Sequence, residues 1–403
     1  MNRLFYDALH ERLGSWPLAY IPYGGADWGE VARVAHEIGS GDDAAYHAAW
    51  TRAAERFSSE AAQALAKGHC ASARELDLRA ACFHARAGAP LFGAPVDPRV
   101  RSSHRLQIAA FERALALGDE PAVPLRIPFD GTTLPGYLIP AAGRANEVRP
   151  LIIFSNGYDG AITDVYFASA VAATRRGYHA LVFDGPGQGE MLIEHGLPLR
   201  PDWETVVGAV VDRALALPNV DPARIALSGW SLGGHLAPRA ASGEHRLAAC
   251  IADPGQRDLA SGFRALAVRL GGTPAAAADL ATLDDALVEN MRQFVVGDRM
   301  LRWSIVQRGL WVHGVPTLRD YLRTAEAFTL DGRIERIRCP TLVTLAEDDP
   351  LTRGTQAFFD DLRCDKTLVR FTAEQGAGGH CEMGNRSRLN RVALDWLDDV
   401  LGV

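Results

Sequence analysis

Residues 224–237 read RIALSGWSLGGHLA, and this stretch decides the fold. The run 224–228 has the short, aliphatic character of a strand buried on both faces. Gly229-Trp230-Ser231-Leu232-Gly233 follows without a spacer, and Gly234-His235-Leu236-Ala237 opens a helix. A G-x-S-x-G pentapeptide alone is a weak signal, because glycine and serine are common. Between a strand and a helix it gains a physical meaning. So sharp a turn strains the central residue's backbone and exposes its side chain, while side chains at the flanking positions would collide. Ser231 is therefore the candidate nucleophile, and the Leu232 N–H is the first candidate donor to a developing oxyanion.

Working outward, apolar runs at 151–155, 179–183, 248–252, 341–345 and 367–371 alternate with helical stretches and read as parallel strands. Upstream, 123–129 and 134–140 flank Asp130-Gly131, a hairpin signal. This is the pattern of an α/β fold with a mostly parallel central sheet covered on both faces. The first third is helical over 27–38, 44–66, 71–87 and 101–117, with Asp27 and Glu30 placed as a capping box. No fixed repeat period supports a solenoid. Between Ala252 and Thr341 lie 88 residues, far more than one strand-to-strand connection needs. Helical patterning over 275–294, 300–307 and 318–327 predicts an inserted cap over the sheet's carboxyl edge. The expected division is a helical N-terminal domain over 1–120 that packs over the active site, and a catalytic domain over 121–403. The helical cap occupies 256–335 within the latter.

A serine hydroxyl is a weak nucleophile until a base takes its proton. Of twelve histidines, His380 stands in Gly376-Ala377-Gly378-Gly379-His380, a loop after the last strand able to bring an imidazole to the sheet's edge. His235 lies on the serine's own helix, where it packs or caps, and His313 lies in the cap. The acid should follow a strand between serine and histidine, and Glu347-Asp348-Asp349-Pro350 follows 341–345. Asp349, before the turn proline, is the expected partner. Asp348, and Asp253 at the end of the preceding strand, are the alternatives, while Glu347 faces solvent. The acid would fix the imidazole tautomer and stabilise the imidazolium. The loop Asn156-Gly157-Tyr158-Asp159-Gly160 offers a second oxyanion donor at the Tyr158 N–H, with the Gly157 amide as alternative. The stretch FDGPGQGE from Phe183 lacks both G-x-G-x-x-G and Walker spacing, and predicts a rigid turn shaping the pocket floor. Trp28, Trp203, Trp303, Trp311, His313 and Tyr321 are available either to line a pocket or to fill a core. No substrate-binding residue is assigned.

Composition narrows the partners. Of 403 residues, 48% are hydrophobic and 23% charged, the balance of a soluble globule. The net charge of −7 comes without a basic tract, so no nucleic-acid partner is expected. Neither a signal-type apolar segment nor a membrane span is evident. The six cysteines lie far apart with no CxxC pair, which predicts reduced thiols, no metal and a cytoplasmic protein. No cofactor is implied.

Several blocks resemble one branch of the α/β-hydrolase superfamily: DGPGQGE from Asp184, GWSLGGHLAPRAAS from Gly229 and GAGGHCEMGNR from Gly376. They are similar to those of 2,6-dihydroxypseudooxynicotine hydrolase and of the fungal yellowish-green pigment hydrolases that shorten polyketide chains. The fermentation-respiration switch group is more distantly similar. YGGADWGEV from Tyr23 and SARELDLRAACFHARA from Ser72 extend the resemblance over nearly the whole chain. It implies an α/β-hydrolase fold, an N-terminal helical domain over the active site, often a homodimer, and a triad of Ser231, Asp349 and His380. The implied reaction on a small molecule is C–C cleavage beside a ketone, or a related acyl transfer to water such as ester hydrolysis. The nicotine-related enzyme also needs a cap glutamate. The segment PGQRDLASGF after Asp253 has none, and Asp258 is the nearest substitute. Peptidase or thioesterase chemistry, and ligand binding without turnover on the same scaffold, are the competing expectations.

Overall fold

The structure is a computed structural model and describes residues 3–403. Among these residues eight strands form one sheet: β1 Val123–Phe129, β2 Thr132–Ile139, β3 Arg149–Ser155, β4 His179–Phe183, β5 Val220–Trp230, β6 Ala249–Asp253, β7 Thr341–Ala346 and β8 Lys366–Phe371. Their spatial order is β1-β2-β4-β3-β5-β6-β7-β8. The hairpin β1–β2 turns at Asp130 and Gly131, both at positive φ as a tight two-residue turn requires. β2 pairs antiparallel with β4, and every later pairing is parallel.

Successive side chains of the central strands feed two different cores. Ile152, Phe154, Ala180, Val182 and Ala226 pack toward the N-terminal helices and the C-terminal helix Arg386–Leu401. Leu151, Ile153, Leu181, Phe183 and Leu227 pack toward the helices Trp203–Leu215 and Gly233–Ala241. With both faces covered, the strands need no polar side, which is why they read as unbroken apolar runs.

The N-terminal helices are Trp28–Ile38, Asp43–Ala66, Cys70–Ala87 and Pro98–Ala116. Three of their starts are set by side chains: Glu30 Oε2 accepts from the Asp27 N–H at 2.8 Å, Asp42 Oδ1 from Ala45 at 3.0 Å and Asp97 Oδ1 from Arg99 at 2.8 Å. Ahead of them lie a short helix Ala8–Gly14 and a 3₁₀ turn Trp16–Tyr23 that the periodicity did not predict. The cap region also departs from expectation. In place of one helix over 275–294 the chain forms Pro274–Ala277, Leu280–Thr282 and Asp285–Gly297. Thr273, Asp279 and Asp284 each cap a fresh start, accepting from the amides of Ala276, Ala281 and Leu287. The helix expected at 300–307 instead runs through Arg299–Val312 with a π-helical stretch over Arg302–Gly309. No helix among the described residues is long and apolar enough to cross a membrane.

One buried cation ties the sheet's carboxyl edge together. Arg386 donates to Asp253 Oδ2 at 2.5 Å, to the Cys381 carbonyl at 2.9 Å, to Ser169 Oγ at 2.9 Å and to the Ala168 carbonyl at 3.2 Å. Thr344 Oγ1 donates to the other Asp253 oxygen at 3.0 Å. Neighbouring Glu382 is buried with neither carboxyl oxygen hydrogen-bonded. Burial, and then the charge of Asp253, push its pKa well above the carboxylate range. Asp253 is thus the carboxylate that balances Arg386. Arg386→Ala should strand that charge and cost about 3–5 kcal/mol. Urea unfolding monitored by circular dichroism checks it, with an unchanged midpoint as the contrary result.

Candidate active site

Strand β5 delivers the turn. Ser231 sits at φ +56°, left-handed backbone for a residue with a Cβ. The amides of Gly234 and His235 donate to the carbonyls of Ser231 and Leu232, each at 2.9 Å, so the helix starts at once. A Cβ on Gly229 would lie 2.0 Å from the Gly233 carbonyl oxygen, which leaves glycine as the residue that fits. Ser231 is half-buried at the head of this turn.

Two other parts of the chain meet it. His380 Nε2 lies 2.9 Å from Ser231 Oγ, and His380 Nδ1 lies 2.7 Å from Asp349 Oδ2. Asp349 is buried, and its other oxygen accepts from the Leu351 N–H at 3.0 Å. With the carboxylate ionised, Nδ1–H donates to it and Nε2 is left to accept from the serine hydroxyl. The loop carrying His380 is pinned on both sides. Asp348 N–H donates to the Gly378 carbonyl at 2.8 Å, and Arg386 holds the Cys381 carbonyl. The other carboxylates are placed elsewhere: Asp348 is exposed, Glu347 accepts from the Ala373 amide at 2.8 Å, and Asp253 belongs to Arg386.

The 156–160 loop presses against the serine. A Cβ on Gly157 would lie 2.8 Å from Ser231 Cβ and 2.9 Å from the Trp230 carbonyl oxygen. Among the described residues the amides of Gly157, Tyr158 and Leu232 donate to no backbone acceptor. The loop is held from behind by Gln188, whose Nε2 donates to the Asn156 and Gly157 carbonyls at 2.9 Å each. The FDGPGQGE turn therefore braces this loop and is absent from the cavity wall, contrary to the expectation that it shapes the pocket floor. Its Asp184 accepts from the amides of Ile162 and Glu190, while burial pushes its pKa up to about 7.

A cavity of about 830 Å³ opens in front of the serine. Arg12 and Trp16 from the N-terminal segment, Phe263, Trp303 and Tyr321 from the insertion, and Tyr158 form parts of its wall. Trp16 meets Trp230 edge-on at 5.3 Å between ring centroids and lies 6.4 Å from the His380 ring. The Tyr158 and Tyr321 hydroxyls hydrogen-bond to one another across the cavity wall. Of the aromatic candidates, Trp303 and Tyr321 line the cavity. Trp203, Trp311 and His313 are core, and Trp28 is 64% exposed. Arg12 and Trp16 were not legible. They lie in a short helix and the 3₁₀ turn after it, in a stretch that carries no catalytic motif.

The chain belongs to the α/β-hydrolase family, whose profile matches residues 152–392. A hydrolase of Fusarium sp, Hydrolase LUC6, is 31% identical over 96% of this chain and 95% of its own. The 20-hydroxy-prefusarin hydrolase FUS2 of Gibberella moniliformis is 30% identical over 96% and 95%. Among solved structures, that of 2,6-dihydroxy-pseudo-oxynicotine hydrolase superposes with a TM-score of 0.73 at 24% identity, covering 95% of each chain. The protein is therefore an enzyme of the hydrolase class with the α/β-hydrolase fold.

Two site-adjacent histidines are buried and neutral. Burial lowers His235 to about 4 and His313 to about 3. The folded state then binds fewer protons than the unfolded one below about pH 6.5, so their contribution is complete above that pH and is lost as pH falls toward the lowered values. Between about pH 6.5 and about pH 5 each should remove about 2 kcal/mol, and His313→Phe should lose about 2 kcal/mol less than wild type in urea titrations at the two pH values. Gly157→Ala should push the 156–160 loop off the serine. Ester turnover is expected to fall about 100-fold with the thermal midpoint nearly unchanged, measured by steady-state kinetics and calorimetry.

Proposed function

We propose that the protein is a serine hydrolase that cleaves a small ketone- or ester-bearing molecule, with Ser231 as nucleophile, His380 as base and Asp349 as its orienting acid. The observation that carries this is the continuous hydrogen-bond chain from Ser231 Oγ through both nitrogens of His380 to buried Asp349. Ser231 Oγ would give its proton to His380 Nε2 as it attacks a carbonyl carbon, and the imidazolium would be balanced by Asp349. The oxyanion would be met by the Leu232 and Tyr158 amides, with Gly157 holding the loop close. His380 would then protonate the departing oxygen, or the departing carbon beside a ketone. Water would release the acyl group by the reverse relay.

An apolar, aromatic-walled cavity of about 830 Å³ suits a small polyketide-like or aromatic substrate better than a protein chain. The relatives named for hydrolysis of 20-hydroxy-prefusarin and 2,6-dihydroxy-pseudo-oxynicotine point the same way. In the same proposal residues 1–120 form a helical domain over the site, 121–403 the catalytic domain and 256–335 its cap. The working form is a cytoplasmic homodimer.

A fluorophosphonate probe followed by mass spectrometry should label Ser231 in folded protein and leave Ser231→Ala unlabelled. The substitution should also reduce turnover of acyl esters or β-diketones about 1000-fold or more. An unlabelled Ser231, or an undiminished Ser231→Ala variant, removes the proposal.

A further inference from the structure

The cavity holds a cation that no protein group pairs. Arg12, on the helix Ala8–Gly14, lines the cavity together with Ser231 and His380. Among the described residues its guanidinium makes no hydrogen bond and no ion pair, whereas its neighbours are committed. Arg86 is bound to Asp164 at 2.7 Å, and Arg308 to Asp159 at 3.3 Å. Arg308 is further sandwiched between the Tyr158 ring at 4.9 Å and the Trp303 ring at 4.6 Å, and Arg269 lies 4.3 Å over Phe294. Arg353, on the turn after Asp349, also lines the cavity and lacks a carboxylate partner among the described residues.

Arg12 has a large accessible surface, yet burial depresses its pKa, and Arg308 lowers it further against partial compensation from Asp349 and Asp159. It is an exposed residue that also forms part of the cavity wall. None of the carboxylates that line the cavity is paired with it: Asp349 serves His380, Asp159 serves Arg308, Asp164 serves Arg86, Asp258 accepts from the Ser261 amide, and Asp348 on the exposed turn makes no ion pair among the described residues. A planar guanidinium with free donors near a second guanidinium favours the entry of an anion between them. Its fork matches two oxygens that share one negative charge.

We propose that Arg12, backed by Arg308, forms an anion subsite in the cavity that recognises a carboxylate, or the ionised enol of a 1,3-dicarbonyl, on the substrate. This deepens the proposed hydrolase function by giving the substrate a charge: one end of the molecule is anionic, while its scissile carbonyl lies at Ser231. The helix Ala8–Gly14 is then a specificity element, which gives the otherwise motif-free N-terminal segment a chemical task.

The test uses the Ser231→Ala protein, which needs no turnover, with 5-phenylpentanoate and its amide as probes in isothermal titration calorimetry. The acid should bind about tenfold more tightly than the amide. Arg12→Gln added to this background should abolish the difference, and Arg12→Lys should keep part of it. In protein with Ser231 intact, Arg12→Gln should lower the ratio of kcat/KM for a carboxylate-bearing ester over its neutral analogue about tenfold, mainly through KM. Acid and amide binding alike, or a preference that survives Arg12→Gln, overturns the subsite. Neither outcome depends on whether Ser231 accepts the fluorophosphonate, so the two failures are separable.

Discussion

The structure turns on the left-handed backbone of Ser231. A non-glycine residue at φ +56° is held only if its surroundings leave no easier conformation. Here the constraint is steric. The Gly229 position and the Gly233 carbonyl cannot separate, because the helix Gly233–Ala241 is packed into the core on one side of β5. The 156–160 loop lies against the other side at Gly157. Backbone from three segments thus meets at van der Waals distance around one hydroxyl, and the serine is presented outward because every other direction is occupied.

Two polar devices keep that crowding stable. Gln188 holds the Asn156 and Gly157 carbonyls of the 156–160 loop, and the Gly157 and Tyr158 amides donate to no backbone acceptor among the described residues. Arg386 joins the end of β6 to the segment carrying His380, where Cys381 and Glu382 take positive φ. Neither Gln188 nor Arg386 lines the cavity, so both fix positions from behind its wall.

Much of this was legible in the sequence, for identifiable reasons. Strands buried on both faces are apolar throughout, and parallel order enforces helices between them, so the sheet could be read from 151–155 to 367–371. The three side chains that converge at the edge stand after strands, in contexts where glycine or proline dictates a turn: Gly229 and Gly233 around Ser231, Pro350 after Asp349, Gly379 before His380. The segment between β6 and β7 was less legible because its helices start at individual N-caps, Thr273, Asp279 and Asp284, which override an alanine-rich pattern that suggests one long helix. The role of FDGPGQGE was misplaced because glycine-rich turns near a site look alike in sequence, whichever way they face. Arg12 was hidden for a simpler reason. Whether an arginine has a partner is a fact of three dimensions.

The contact of Trp16 with Trp230 and its approach to His380 couple distant stretches of chain. With residue 16 in the wall and residue 380 beside it, the chamber is complete only when early and late portions of the polypeptide are both in place. During synthesis the 3₁₀ turn that carries Trp16 must wait for nearly the entire chain before the His380 ring it approaches exists. The emerging polypeptide therefore carries no finished chamber until the last strand and the loop beyond it have folded. The helix Ala8–Gly14 and the turn after it put Arg12, Leu13 and Trp16 into the chamber wall, which makes this stretch a natural place for cells or engineers to retune what the enzyme accepts.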